Sequence, residues 1–178
     1  MSLEAICKIT GVLKNIPRTG WLQKGIPFYE AESVAEHSFE VAAIVLALLN
    51  SIRMKVDAEK ALAMALIHDL SESVIGDMPK ALTEKIGENF KHEIEGEAVE
   101  KIVGSGKLSE IFEEYLRGES LESKIVKFAD KLSTFYQAKS YRKRGYDVDE
   151  IIEGTLDEIK IMVKQFRGEG IEKLFNLQ

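Results

Sequence analysis

Between Val34 and Arg53 nearly every residue is a helix former, and apolar side chains fall on almost every side of the helix they would make. A helix that is oily all round has no face to give to water. It must sit at the centre of a packed structure, and the segments that could surround it also carry helical spacing. From Leu3, apolar residues recur at Ile6, Cys7, Ile9 and Leu13, a core-facing stripe that Pro17 ends. Cys7, on that stripe, is expected to be a small buried hydrophobe.

Residues 17–33, with Gly20, Gly25 and Pro27 and no sustained period, read as a long loop of the kind that often carries function. A second core helix is expected over Ala58 to Val74, capped by Asp57, with Glu59 at the positive end of its dipole and Gly76 as its stop. Pro79 could open a short helix. The next helix runs from Glu88 to Val103 with Phe90, Ile94, Ala98 and Ile102 as its stripe, and Gly104 and Gly106 end it. Helices over Leu108 to Leu116, Ser120 to Arg144 and Val148 to Phe166 complete the series, before a short tail. No alternation of period two, no turn-bounded β-branched run and no fixed-interval repeat occurs. The expectation is an all-α, single-domain bundle over residues 1–178, of about six or seven helices.

Composition excludes several classes. With 45% apolar and 30% charged residues the chain lies far from the signature of disorder. Cys7 is the lone cysteine, so no intramolecular disulfide can form, and the Met-Ser-Leu-Glu start lacks the features of a signal peptide. A cytoplasmic protein is expected. The strongly apolar stretch Val41 to Leu49 is shorter than the about 20 residues needed to cross a bilayer, so no membrane partner is expected. A net charge of −6 disfavours a nucleic-acid polymer, while a small anionic substrate stays possible where a bound cation reverses the local field.

His37 and His68 stand in the two most apolar helices of a chain with 3 histidines. Buried imidazoles need partners, so each is either a hydrogen-bonded core residue or a metal ligand. Asp69, beside His68 in a run of Ala, Leu, Met and Ile, tips the balance, because a carboxylate there requires a cation. Asp130, deep in another apolar run, repeats the pattern. Histidine and aspartate converging from three helices is how bundle proteins build metal sites. Two nitrogens and two carboxylates would suit one divalent ion such as Mn²⁺, Fe²⁺, Co²⁺ or Zn²⁺, with a face left open for water and substrate.

The order His37, His68-Asp69, Asp130 resembles the signature of the HD-domain metal-dependent phosphohydrolases. Five longer segments resemble one branch of them, the 5′-deoxynucleotidases. These are Arg18-Thr-Gly-Trp21, Glu32-Ser-Val-Ala-Glu-His37-Ser, Ile67-His-Asp-Leu-Ser-Glu72, Ile75-Gly-Asp77-Met-Pro and Phe128-Ala-Asp130-Lys. The resemblance implies an HD-type helical fold around a metal held by His37, His68, Asp69 and Asp130, and hydrolysis of a nucleoside 5′-monophosphate, a deoxynucleotide first of all. It also implies a homodimer.

Glu72 follows His68 by one helical turn, which would place its carboxylate on the ligand face. The resemblance gives Glu72 and Asp77 roles beyond the ligands. Glu72 is assigned to orient or deprotonate the attacking water, and Asp77 to protonate the departing 5′-oxygen or steer the water. Otherwise Glu72 is a solvated helix-end charge and Asp77 a cap for the helix after Pro79. Arg18 offers a planar fork for phosphate oxygens and Trp21 a flat face for base or sugar. Some family members have these two residues adjacent; two residues separate them here. Otherwise Arg18 is an exposed loop residue and Trp21 an anchor of the loop. Rival readings are another HD reaction, on a cyclic nucleotide or a triphosphate, and a non-catalytic nucleotide-binding or scaffold module.

Other features are read as structure. His92 lies off its helix's apolar stripe, and Lys139, Arg142, Lys143 and Arg144 complement a helix C-terminus. Gly104-Ser-Gly-Lys107 lacks the spacing of a phosphate loop.

Overall fold

The computed structural model describes residues 2–51 and 55–166. Within them the chain forms ten α-helices and a closing 3₁₀ turn, Lys164–Phe166; the sole β feature is an isolated antiparallel bridge between Pro17 and Ser33. Seven helices are substantial: α1 Leu3–Leu13, α3 Val34–Ser51, α4 Ala58–Ile67, α7 Glu88–Val103, α8 Lys107–Arg117, α9 Leu121–Lys143 and α10 Asp149–Val163. Three short ones, α2 Thr19–Gln23, α5 Glu72–Ile75 and α6 Lys80–Ile86, bring the count above the six or seven expected. The expected end of α3 at Arg53 lies outside the described residues, as does the tail.

α9 is the axis of the bundle. Ser120 caps it, accepting the Ser123 backbone N–H at 3.2 Å, and its 23 residues pack against α3, α4, α8 and α10. Ile125, Val126, Phe128, Ala129 and Leu132 are buried and meet Val34, Val41, Val45 and Leu48 of α3 together with Ala61, Met64 and Ala65 of α4. Each large side chain so buried contributes about 1.5–3 kcal/mol. α3 is long and apolar enough to cross a membrane, with a mean hydropathy of 1.3 over 18 residues, a property the shorter window Val41 to Leu49 conceals. Its packing explains that composition: α3 lies against both α4 and α9 and carries buried His37 and Ser38.

Four local expectations change. The helix expected over Ala58 to Val74 breaks after Ile67, and the chain passes through residues 68–71 on tighter bonds of the i to i−3 type: Leu70 N–H to Ile67 O at 3.0 Å, Glu72 N–H to Asp69 O at 3.1 Å and Val74 N–H to Ser71 O at 2.9 Å. Gly76, at φ 76°, then turns the chain as expected. In the 17–33 loop, α2 forms one short turn of helix that periodicity over so few residues cannot reveal. α7 buries Glu95, Ala98 and Val99 and leaves Phe90 51% exposed, so its inward face is rotated from the stripe read in the sequence. Cys7 is exposed, because α1 turns Ile9 and Leu13 toward the core instead.

Candidate metal centre

α3, the end of α4 and α9 bring their ionisable residues together. One ligand atom each from His37, His68 and Asp130 lies within 4.8 Å of the others. Asp69 joins from the tightened segment after α4. Its Oδ2 is 3.1 Å from His68 Nε2 and 3.7 Å from His37 Nε2, while Asp130 Oδ1 is 3.1 Å from His37 Nε2. Both Nε2 atoms are buried and lack a hydrogen-bond partner, so the carboxylates approach them without the alignment of a bond.

The other ring nitrogens decide what those Nε2 atoms are. His68 Nδ1 is 2.8 Å from the Ala65 carbonyl oxygen, which can only accept, so Nδ1 carries the proton and Nε2 presents a lone pair. His37 Nδ1 lies 3.1 Å from Ser133 Oγ. Two buried Nε2 atoms without hydrogen-bond partners, beside two carboxylates, form a set that fits a divalent cation and leaves the imidazoles orphaned otherwise.

The charges tell the same story. Burial opposes the charge of Asp69, but the His68 and His37 imidazoles hold its carboxyl down at about 2. Burial likewise opposes Asp130, and Lys131, His37 and Arg18 hold it well below the usual carboxylate range. Glu72 goes the other way: burial first, then the charges of Asp69 and Asp77, push its carboxyl up to about 10, and its Oε2 is buried without a partner. A cation among these groups would reverse that push.

A cavity of about 760 Å³ opens above the cluster, lined by Arg18, Trp21, Asp69, Glu72, Asp77 and Asp130 among others, a volume suited to a small-molecule substrate. Arg18 reaches Glu32 Oε2 at 3.4 Å and Thr134 Oγ1 at 3.2 Å. Although its burial opposes the charge, Glu32, Asp130, Asp69 and Asp77 keep the guanidinium firmly protonated. Trp21 is 2% exposed, donates Nε1–H to Glu32 Oε2 at 2.9 Å and packs against Tyr141 with ring centroids 5.0 Å apart. It anchors the loop under Arg18 and also meets the cavity.

Asp77 does not cap α6, which has no side-chain cap bond. Its carboxylate accepts the Thr19 backbone N–H, and its carbonyl accepts the Thr19 hydroxyl at 2.9 Å, so it ties α2 to the turn after α5. His92 is partly exposed beside Glu88, at 3.7 Å, away from the cluster. Arg142 and Arg144 pair with Asp149 and Glu30 at the end of α9.

Sequence reading passed over Glu32, Glu40, Lys91, Tyr115, Lys131, Ser133 and Thr134. Lys91, Tyr115, Lys131 and Thr134 line the cavity, and Glu32 holds both Arg18 and Trp21. Spacing held a clue for two of them, since Glu40 and Ser133 each follow a candidate ligand, His37 and Asp130, by three residues and so share its helix face.

The profile of the HD domain family matches residues 10–169. The 5′-deoxynucleotidase HDDC2 of Danio rerio is 34% identical over 142 residues, covering 76% of this chain and 68% of that protein. The protein of the same name from Homo sapiens is 30% identical over 146 residues, covering 79% of this chain and 68% of its own length. Among solved structures, the PH0347 protein from Pyrococcus horikoshii OT3 matches with a TM-score of 0.79 at 37% identity, over 89% of each chain. A conserved hypothetical protein from Pyrococcus furiosus matches with a TM-score of 0.80 at 36% identity, over 93% of this chain and 96% of that one.

Proposed function

The chain belongs to the HD-domain family, and we propose on that premise that it is a metal-dependent phosphohydrolase that splits nucleoside 5′-monophosphates, deoxynucleotides first of all, into nucleoside and phosphate. The observation that carries the reading is the pair of buried, partnerless Nε2 atoms converging on two carboxylates at the base of a cavity that also holds Arg18. The names of its relatives support the substrate class.

His37, His68, Asp69 and Asp130 would hold one divalent transition-metal ion, which would supply Lewis-acid charge to the phosphate and to the attacking water. Arg18 grips the phosphate with its planar fork, held ready by Glu32 and Thr134. Glu72 orients the attacking water or takes its proton, the latter requiring that a cation beside Asp69 reverse the upward push on its buried carboxyl. Asp77, fixed by Thr19 on the same cavity wall, delivers a proton to the departing 5′-oxygen or steers the water. Trp21, almost wholly buried, sets the height of the loop and meets the cavity where base or sugar would lie.

The reading treats residues 1–178 as one domain, supported by a hydrophobic cluster that runs from Leu13 to Phe166 and a smaller one around Trp21, Tyr141 and Val148, with Phe135 packed against both. It also includes a homodimer, for which exposed Phe28, Tyr29 and Phe39 offer apolar surface, and a cytoplasmic setting that suits the free Cys7. Loading the purified protein with Co²⁺ or Mn²⁺ and measuring phosphate release from a panel of nucleotides tests the function. Release from monophosphates and not from cyclic nucleotides or triphosphates is expected; no turnover of any monophosphate would overturn it. Loss of turnover in Glu72→Ala with metal retained separates an enzyme from a non-catalytic binding module.

A further inference from the structure

We infer that Glu40 and Ser133 are positioning residues that lock His37 in the ring tautomer whose Nε2 lone pair faces Asp130, an inference that rests on reading His37 as a metal ligand. His68 needs no such help, because the Ala65 carbonyl oxygen fixes its tautomer. His37 has no carbonyl at its Nδ1. Instead two groups compete there: Ser133 Oγ at 3.1 Å and Arg18 Nη1 at 3.3 Å. They would impose opposite outcomes. A guanidinium can only donate, so a ring bonded to Arg18 would accept at Nδ1 and carry its proton on Nε2, where it would block a cation. A hydroxyl can do either.

Glu40 settles which. Its Oε2 lies 2.7 Å from Ser133 Oγ, and a carboxylate can only accept, so the hydroxyl proton points at Glu40. The oxygen lone pairs of Ser133 are then left for His37 Nδ1–H. His37 and Ser133 are both 0% exposed, so water cannot substitute for either partner. The chain of bonds Glu40, Ser133, His37 spans α3 and α9, the two helices that carry His37 and Asp130. It has the form of the outer carboxylate relays that orient ligating histidines in metal sites, with a serine inserted. Arg18, denied the ring nitrogen, keeps its donors for Glu32, Thr134 and the cavity.

The test uses the full chain as wild type, Ser133→Ala, Ser133→Thr and Glu40→Ala. Metal affinity is measured by Co²⁺ and Zn²⁺ titration against a chelator, and the ring protonation of His37 by ¹⁵N NMR of the metal-free protein. The wild type is expected to carry its proton on Nδ1. Ser133→Ala and Glu40→Ala are expected to bind metal about 10- to 100-fold more weakly and to shift His37 toward the Nε2–H form, with Ser133→Thr restoring both. A wild-type His37 protonated on Nε2, or Glu40→Ala with unchanged affinity and tautomer, overturns the inference. Glu40 is partly exposed on α3, so its variant and the wild-type spectrum decide the matter even where Ser133→Ala does not fold. A wild type with the Nδ1–H ring that binds no metal refutes the ligand reading itself, and the inference falls with it.

Discussion

Replacing Tyr141 by Phe removes a single oxygen, and the structure assigns that oxygen a defined cost. The Tyr141 hydroxyl accepts the backbone N–H of Glu32 at 2.7 Å and donates to the carbonyl oxygen of Glu30 at 2.9 Å, while its ring is fully buried against Trp21. It is therefore the peg on which the far end of the 17–33 loop hangs. In Tyr141→Phe the ring stays, so packing is preserved, but the buried Glu32 N–H and the Glu30 carbonyl lose their partner together. Leaving one buried polar group unsatisfied costs about 1–3 kcal/mol, and the Glu30 carbonyl, nearer the surface, recovers part of its loss from water. The expected destabilisation is about 2 kcal/mol, or about 4–8 °C in Tm for a chain of this size. Because Glu32 also holds Arg18 and Trp21, substrate affinity should weaken alongside stability. Urea unfolding at fixed pH, with KM measured on the same samples, gives both readings. A variant as stable as the wild type and with the same KM would refute the claim that α9 holds this loop.

Arg18→Lys keeps the charge but loses the planar fork, and should lower kcat/KM on a monophosphate by about 10- to 100-fold with little change in fold, read by steady-state kinetics and circular dichroism. Glu72 in the metal-free protein has its carboxyl raised from an ordinary 4.5 to about 10, so the folded state holds a proton that the unfolded state releases. Stability from this group is whole below pH 4.5 and falls by about 1.4 kcal/mol per pH unit as pH rises toward 10, so denaturation in the presence of a chelator should show Glu72→Gln gaining on the wild type by roughly 3 kcal/mol between pH 4.5 and 7. Parallel pH profiles would contradict this. Gly118 ends α8 at φ 69°, a left-handed conformation that a Cβ disfavours, so Gly118→Ala should cost about 1 kcal/mol in thermal denaturation.

What the sequence made legible follows from how local each signal is. α7 and α9 match the expected spans closely because their ends are written in the chain: Gly104 after one, Ser120 before the other and Gly145 beyond it. The break after Ile67 carries no glycine or proline. It arises from the third dimension, where His68 and Asp69 must turn toward α3 and α9, and the Ala65 carbonyl bonds the His68 ring rather than serving the helix alone. The inward face of α7 was misplaced for a related reason, since Lys91 and Glu95 pair at 3.5 Å and Lys91 looks into the cavity, so polar residues occupy positions that a hydrophobic stripe would claim.

In the site, His37, His68, Asp69 and Asp130 stood out because ionisable residues are costly in apolar helices and so mark a reason for being there. Glu32 and Thr134 gave no such signal, and Glu40 and Ser133 gave only their three-residue spacing from His37 and Asp130. A glutamate or serine is an ordinary residue on a helix, and its meaning appears only when two helices distant in sequence bring it to a ring nitrogen or a guanidinium. Trp21 was visible as a residue of consequence, yet whether it faces ligand or core was decided by Glu32 and Tyr141, which lie 11 and about 120 residues away.

Three helical segments are read as converging on one divalent ion. Anomalous diffraction from crystals grown with Co²⁺ or Mn²⁺ puts this to the test directly. One strong peak per chain is expected, about 2.0–2.3 Å from His37 Nε2, His68 Nε2 and oxygens of Asp69 and Asp130. A peak bound elsewhere, or a fully loaded solution that leaves these four side chains without an ion, would contradict it.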